Sequence, residues 1–377
     1  MIRSGLAGVA GLAVLLAACG TPSRPTVTSA SAEASPSRVE ASTAPRMSGR
    51  AAGSATPAAS TPATGWRRLA EAVSGVAPRE DHTWTVNADG DVAYLFGGRT
   101  ADGLALGDLW AFDLARDRWS RLEAAGSAPA ARFGHNAVWA AGIGLVIFGG
   151  QAGTAFFNDL WAYDVDAGRW RRLPARGAVP VARYGSCAAV APDGRLWISH
   201  GFTAENRRFA DTRAYDFATG TWSDETPPGE VPVPRCLHGC WWTDDGKFAL
   251  YAGQTTGTLA LDDLWFLTVG AGRSTHQWSA ASLGADIAAR NLYASTRFGS
   301  ATLVFGGQAL DGSRLADTWL IATDGRASAV SPAGRQPAPR SGAELVADAA
   351  RGRVLLFGGR DAERAMADLW QLTLDGS

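Results

Sequence analysis

An apolar strand that ends in a pair of glycines returns along this chain at a near-constant step, and that recurrence limits the fold more than any other feature. It reads AYLFGG to Gly97 and Gly98, LVIFGG to Gly149 and Gly150, LVFGG to Gly306 and Gly307, and LLFGG to Gly358 and Gly359. Two weaker copies, LWISHG ending at Gly201 and ALYAG ending at Gly253, fill the gap, so a step of about 52 residues runs through six units. Some ten residues after each doublet stands an aspartate two places before a tryptophan: Asp108 and Trp110, Asp159 and Trp161, Asp263 and Trp265, Asp317 and Trp319, Asp368 and Trp370. The third unit keeps Asp211 but has Arg213 for the tryptophan. A further run headed by Trp119, Trp170, Trp222 or Trp278 follows, then a Pro/Gly-rich loop. An arginine then opens the next unit, at Arg79, Arg132, Arg183, Arg235, Arg290 and Arg340.

Runs of four to seven β-branched and aromatic residues separated by turn residues, with no sustained helical period, make the chain all-β. The glycine doublet followed at fixed spacing by a tryptophan strand closely resembles the kelch repeat from Trp66 to the end. That resemblance implies a β-propeller of four-stranded antiparallel blades, and the tryptophans suit the gap where wedge-shaped blades splay apart. The sixth unit stops after three strands at DLWQLTLDGS, whereas GWRRL near residue 65 is a fourth strand with no partners before it. Trp66 to Leu69 is therefore expected to pair with Leu369 to Leu374. The expected fold is a six-bladed kelch-type β-propeller whose ring the N-terminal strand closes, leaving no open edge.

Residues 1–19 carry Arg3, a short apolar run and the ending Leu16-Ala-Ala-Cys19, which resembles a bacterial lipoprotein signal with Cys19 as the lipidated residue. Residues 20–64 are nearly all Ser, Thr, Ala, Pro and Gly, a composition that buries too little apolar surface to offset ordering entropy, so they read as a disordered tether. The expected organisation is thus signal 1–19, tether 20–64 and propeller 65–377. The protein would be exported and lipid-anchored to the cell or outer membrane, with the propeller on the extracytoplasmic side. A net charge of −1 argues against nucleic acid as a partner. A monomer is expected.

Because neighbouring strands run antiparallel, the opening arginines, the glycine doublets and the Asp-x-Trp aspartates all fall on one face. Each arginine is placed to cross the glycines and meet its aspartate as a strut of the blade. The rival reading leaves the six arginines as an anion-attracting ring that binds ligand at the channel mouth. Specificity is expected where the units differ on that face: Gln151, Phe156 and Phe157 after the second doublet, and Phe202, Glu205, Asn206, Arg207 and Phe209 after the third. On the first strands Glu344 of the sixth unit neighbours Asp81 and His82 of the first, a weak catalytic candidate of carboxylate and histidine.

Cys187 and Cys240 lie at similar height on adjacent inner strands and are the preferred disulfide in an oxidising compartment, with Cys236 left over. Three free thiols remain open. So does a metal set with His238, although same-side residues nearly 7 Å apart are too wide for close ligation and no metal or cofactor is expected. The kelch resemblance implies first a non-catalytic module that holds an envelope protein, peptide or glycan. It implies second a carbohydrate-active enzyme of mutarotase, epimerase or oxidase type, since radical-copper sugar oxidases and a bacterial sialic acid mutarotase share the motif. The copper oxidases have seven blades and a further domain that supplies a copper ligand, so His82, His135, His238 and Tyr293 do not carry over as ligands. A structural assembly subunit is the third class.

Overall fold

The computed structural model describes residues 64–256 and 260–374. Cys19, the signal segment and the tether up to residue 63 lie outside the described residues. No helix among the described residues is long and apolar enough to cross a membrane.

Each repeat unit folds as an antiparallel four-stranded array. In the first, Thr83–Val86, Val92–Phe96, Leu109–Asp113 and Arg118–Leu122 pair in sequence order. The second repeats this with Asn136–Ala140, Gly144–Phe148, Leu160–Asp164 and Arg169–Arg172. Units four and five are also linked to each other, because Arg290 pairs with both Leu261 and Ala309. In the last unit Ser341–Asp348, Arg353–Arg360 and Leu369–Thr373 are followed by Gly65–Ala70, which runs antiparallel to Leu369–Thr373 with Trp66 opposite Leu372. Linkers cover some outer edges: Arg176–Gly177 lies parallel to Thr221–Asp224, and Ala333 bridges Gly65.

The apolar side chains explain how the units pack. Second and third strands are buried on both faces, so they read as continuous apolar runs such as VAYLF and LWAFD. Each core cluster draws on two successive units. Tyr94 and Phe96 of unit one meet Leu145, Ile147 and Trp170 of unit two, while Trp84, Leu95 and Phe112 of unit one meet Leu355, Phe357 and Leu369 of unit six. Tryptophan fills these seams, as where Trp119 of unit one meets Phe357 of unit six at 5.1 Å between centroids.

Two residues beyond each opening arginine, Asp81, Gly134, Gly185, Leu237, Leu292 and Gly342 all adopt φ between +52° and +64°. This left-handed turn aims each backbone N–H at the preceding unit. Gly134 donates to Asp81 O at 2.8 Å, Gly185 to Gly134, Leu237 to Gly185, Leu292 to Leu237, Gly342 to Leu292, and Asp81 back to Gly342 O at 2.9 Å. The chain of donation returns to its start. Three non-glycine residues accept the left-handed strain to complete it.

Candidate functional site

Every opening arginine has its guanidinium engaged inside its own unit. Arg79 Nη1 and Nη2 each donate to a carboxylate oxygen of Asp108 at 2.7 Å, Nη1 also to Gly97 O at 2.9 Å, and Nε to Ala77 O at 3.0 Å. The same four bonds recur for Arg132 on Asp159, Arg183 on Asp211, Arg235 on Asp263, Arg290 on Asp317 and Arg340 on Asp368. Tryptophan indole N–H groups, from Trp110 at 2.7 Å and its counterparts, donate to the same carboxylates, and in unit three Arg213 Nε substitutes at 3.0 Å. Burial works against the charge of Asp108, yet Arg79 outweighs it and holds the carboxyl below its usual range. All six arginines are buried at 0–1% exposure. They act as struts of the fold, each buried and paired with a carboxylate rather than open to the channel mouth.

The glycine doublet needs two different backbone states. Its first member, or His200 and Ala252 in units three and four, has φ of +57° to +70°, a left-handed angle that other residues tolerate. The second member is glycine in all six units, at +87° to +115°. A Cβ on Gly150 would lie 2.8 Å from His135 Cβ and 3.0 Å from Phe133 O. Glycine is required there by angle and by close approach, not only to let an arginine cross.

At the rim of the same face, Glu80 and Asp81 are buried and closed by arginines from the loops after the first and sixth doublets. Arg99 lies 3.2 Å from Glu80 and 2.9 Å from Asp81, and Arg360 lies 3.1 Å from Glu80. Burial, then the neighbouring Asp81, pushes Glu80 up to about 7. His82 is 1% exposed, hydrogen-bonds through neither ring nitrogen, and packs edge-on to Phe357; burial holds its pKa well below the usual imidazole value. Glu344 is half-buried on the wall of a cavity of about 490 Å³ between the first strands. It makes no hydrogen bond to His82, so the two share the wall without forming a dyad.

The two singled-out loops divide by role. Phe157 lies under the Arg132 guanidinium at 4.2 Å and Phe209 under Arg183 at 4.2 Å, so both serve as platforms for the struts. Gln151 closes its own turn on Gly153 O at 2.7 Å. Glu205 and Asn206 form a left-handed hairpin tip, flanked by Arg207 over Phe209 at 4.9 Å. Phe156 instead meets Phe202 at 6.0 Å, Phe202 meets Tyr184 at 6.3 Å, and Tyr184 meets Phe133 at 5.8 Å. Arg208 lies over Phe202 and Arg99 over Phe133. The result is an aromatic row edged by arginine across units one to three. Phe133 and Tyr184, each next to an opening arginine, were not singled out in the sequence; their shared position was the available signal. Also missed were the exposed apolar side chains. Leu104, Val181, Val233 and Leu310 are 47–63% exposed, and all sit in loops of this face; Val165, at 39%, is on the opposite one.

Cys187 and Cys240 are joined, with Cα atoms 5.7 Å apart, and Cys236 is a buried free thiol whose pKa burial raises to about 11. No group of metal-ligating side chains gathers among the described residues.

Repeat, strand order and radial struts define a kelch-type β-propeller. The chain matches the KLHDC2/KLHL20/DRC7 Kelch-repeats domain over residues 59–253 and 226–377, and it belongs to that family. It is 36% identical to acyl-CoA-binding domain-containing protein 5 of Arabidopsis thaliana over 38% of this chain and 22% of that protein. It is 28% identical to Kelch domain-containing protein 10 of Xenopus laevis over 58% of this chain and 53% of that protein. The solved structure of YjhT superposes with a TM-score of 0.62 at 17% identity, covering 80% of this chain and 96% of that one. The chain spans only about a fifth to about half of the length of the curated relatives it matches.

Proposed function

We propose that this protein is a six-bladed propeller, tethered to a bacterial membrane through Cys19, that binds an envelope protein on the strut-bearing face. Six seams of shared core, the six-membered cycle of backbone hydrogen bonds and the pairing of Gly65–Ala70 with Leu369–Thr373 support the blade count and the closure. The signal-like ending at Cys19 and the Ser/Thr/Ala/Pro composition that follows support the tether and extracytoplasmic presentation.

One observation carries the binding reading: among the described residues, four of the five exposed large apolar side chains lie in loops of the face that also carries the row from Phe156 to Phe133. Apolar surface concentrated on one side of a folded domain is the mark of a contact surface. Photo-crosslinking residues placed singly at Leu104, Phe202 and Val165 in the producing cell test it. Adducts form at Leu104 and Phe202 and not at Val165; equal adducts at all three, or at Val165 alone, contradict the reading. Cys19→Ser releases the protein from the membrane fraction, and unchanged membrane retention contradicts the tether.

A further inference from the structure

One seam of the central cavity differs from the others in a way that binding on the outer face does not use. At most seams the residue four places after an opening arginine faces the residue three places after the next one; between units three and four Cys187 instead meets the residue five places along, Cys240. Thr83 Oγ1 meets His135 Nε2 at 2.9 Å, Asn136 Nδ2 donates to Ser186 Oγ at 2.7 Å, and Gly239 N donates to Tyr293 Oη at 2.7 Å. Cys187 is bonded to Cys240, and Ala294 and Ala343 are buried in one apolar cluster. The remaining seam pairs Glu344 with His82. There His82, like His238 at the seam between units three and four, keeps both ring nitrogens buried and unbonded, while the Glu344 carboxyl is half-exposed to the cavity with neither a hydrogen bond nor a counter-ion in the protein. A carboxyl that faces a cavity with no partner in the protein is open to a partner in a ligand.

No neighbouring side chain supplies positive charge. From unit one, Asp81 faces Glu344 with its own charge turned to Arg99, and His82 is held neutral by burial. From unit five, Tyr293 donates to Tyr251 O at 2.8 Å, and Arg297 turns outward to Asp244 at 2.7 Å. On the same blade Arg340 is fixed on Asp368, Arg360 on Glu80, and Arg353 and Arg351 on Asp348. The cavity, about 490 Å³ and lined also by Thr85, Asn136, Ser295 and Thr296, has the size and the hydrogen-bonding groups for a small polar molecule.

We propose that this cavity is a binding site for a small hydroxylated ammonium ion, whose charge pairs with the Glu344 carboxylate and whose hydroxyl groups meet the polar wall. Burial, then Asp81, pushes Glu344 up to about 8, so at neutral pH it is mostly the protonated acid. Binding forms the ammonium–carboxylate pair, breaks the carboxyl O–H bond and releases that proton to solvent. Affinity therefore rises with pH, about tenfold per unit below pH 8, and levels off above it.

The test is calorimetry on the full chain in detergent with choline and ethanolamine, each against an uncharged counterpart, 3,3-dimethylbutan-1-ol and ethylene glycol. The expected result is binding of at least one cation and neither alcohol. At pH 7, heats in buffers of different ionisation enthalpy report close to one proton released per cation bound, and Glu344→Gln weakens binding at least tenfold. Absence of binding by both cations, equal binding of the alcohols, or affinity independent of pH in the unmodified protein overturns the site. The pH series needs no variant, so it decides even where Glu344→Gln folds poorly. None of these outcomes bears on crosslinking at Leu104 or Phe202.

Discussion

The struts and the cavity seams come from the same repeat, only a few residues apart, and they are opposites. Six arginines make the same four bonds at nearly the same lengths, while six seams hold six different pairs, from a disulfide to an unbonded acid and histidine. What every unit repeats answers a demand that every unit shares: a carboxylate on the third strand and the carbonyl at the doublet must be tied to the chain entering from the previous unit. What differs from unit to unit is free of that demand. Ligand chemistry therefore belongs to the unrepeated positions, and the repeated ones show up as loss of stability when they are changed.

The sharpest way to break this comparison is to empty one strut. Asp159→Ala leaves the Arg132 charge buried without its carboxylate, and urea unfolding of the full chain should show a loss of about 3–5 kcal/mol. A loss below about 1 kcal/mol would place the arginines outside the scaffold. Next comes the doublet. Gly150→Ala, at φ +95°, should cost about 2–3 kcal/mol, whereas Gly149→Ala, at +70° and in the state His200 and Ala252 already adopt, should cost about 1 kcal/mol. Equal costs by the same unfolding measurement would mean that crowding, not backbone angle, sets the requirement.

The seam yields a smaller effect with a pH signature. Native Glu344 keeps its proton to about pH 8, and the unfolded chain releases it near 4.5, so between these values the native state binds more protons. Its contribution is full below about pH 4.5 and declines as the pH rises through 8. Allowing for partial exposure, Glu344→Gln should remove about 1–2 kcal/mol of that decline. Parallel stability–pH curves for the two proteins would contradict it. The smallest change is at the rim: Leu104→Ser should leave stability within about 0.5 kcal/mol while reducing crosslinking at Phe202.

Much of the scaffold was legible in the sequence because a repeat writes each structural demand six times. The Arg79–Asp108 strut and the opposition of Cys187 and Cys240 both follow from counting residues from an opening arginine. The site was less legible because its parts meet across units through loops of unequal length. Arg99 and Arg360 follow their doublets directly, yet nothing in the spacing indicates that both turn to Glu80. Asp81, Leu237 and Leu292 stand where glycine does in the other units, so composition hid the left-handed turn they share. Phe133 and Tyr184 read as ordinary strand residues until Phe202 is set beside them.

Unit three offers both kinds of residue, which allows one paired measurement: thermal unfolding together with in-cell crosslinking from Leu104, on Asp211→Ala and on Phe202→Ala. The account predicts that Asp211→Ala lowers Tm by about 10 °C while its folded fraction still crosslinks, and that Phe202→Ala keeps its Tm and loses the adduct. The reverse pattern, a stable Asp211→Ala without the adduct and an unstable Phe202→Ala with it, would contradict the division between repeated scaffold and unrepeated site.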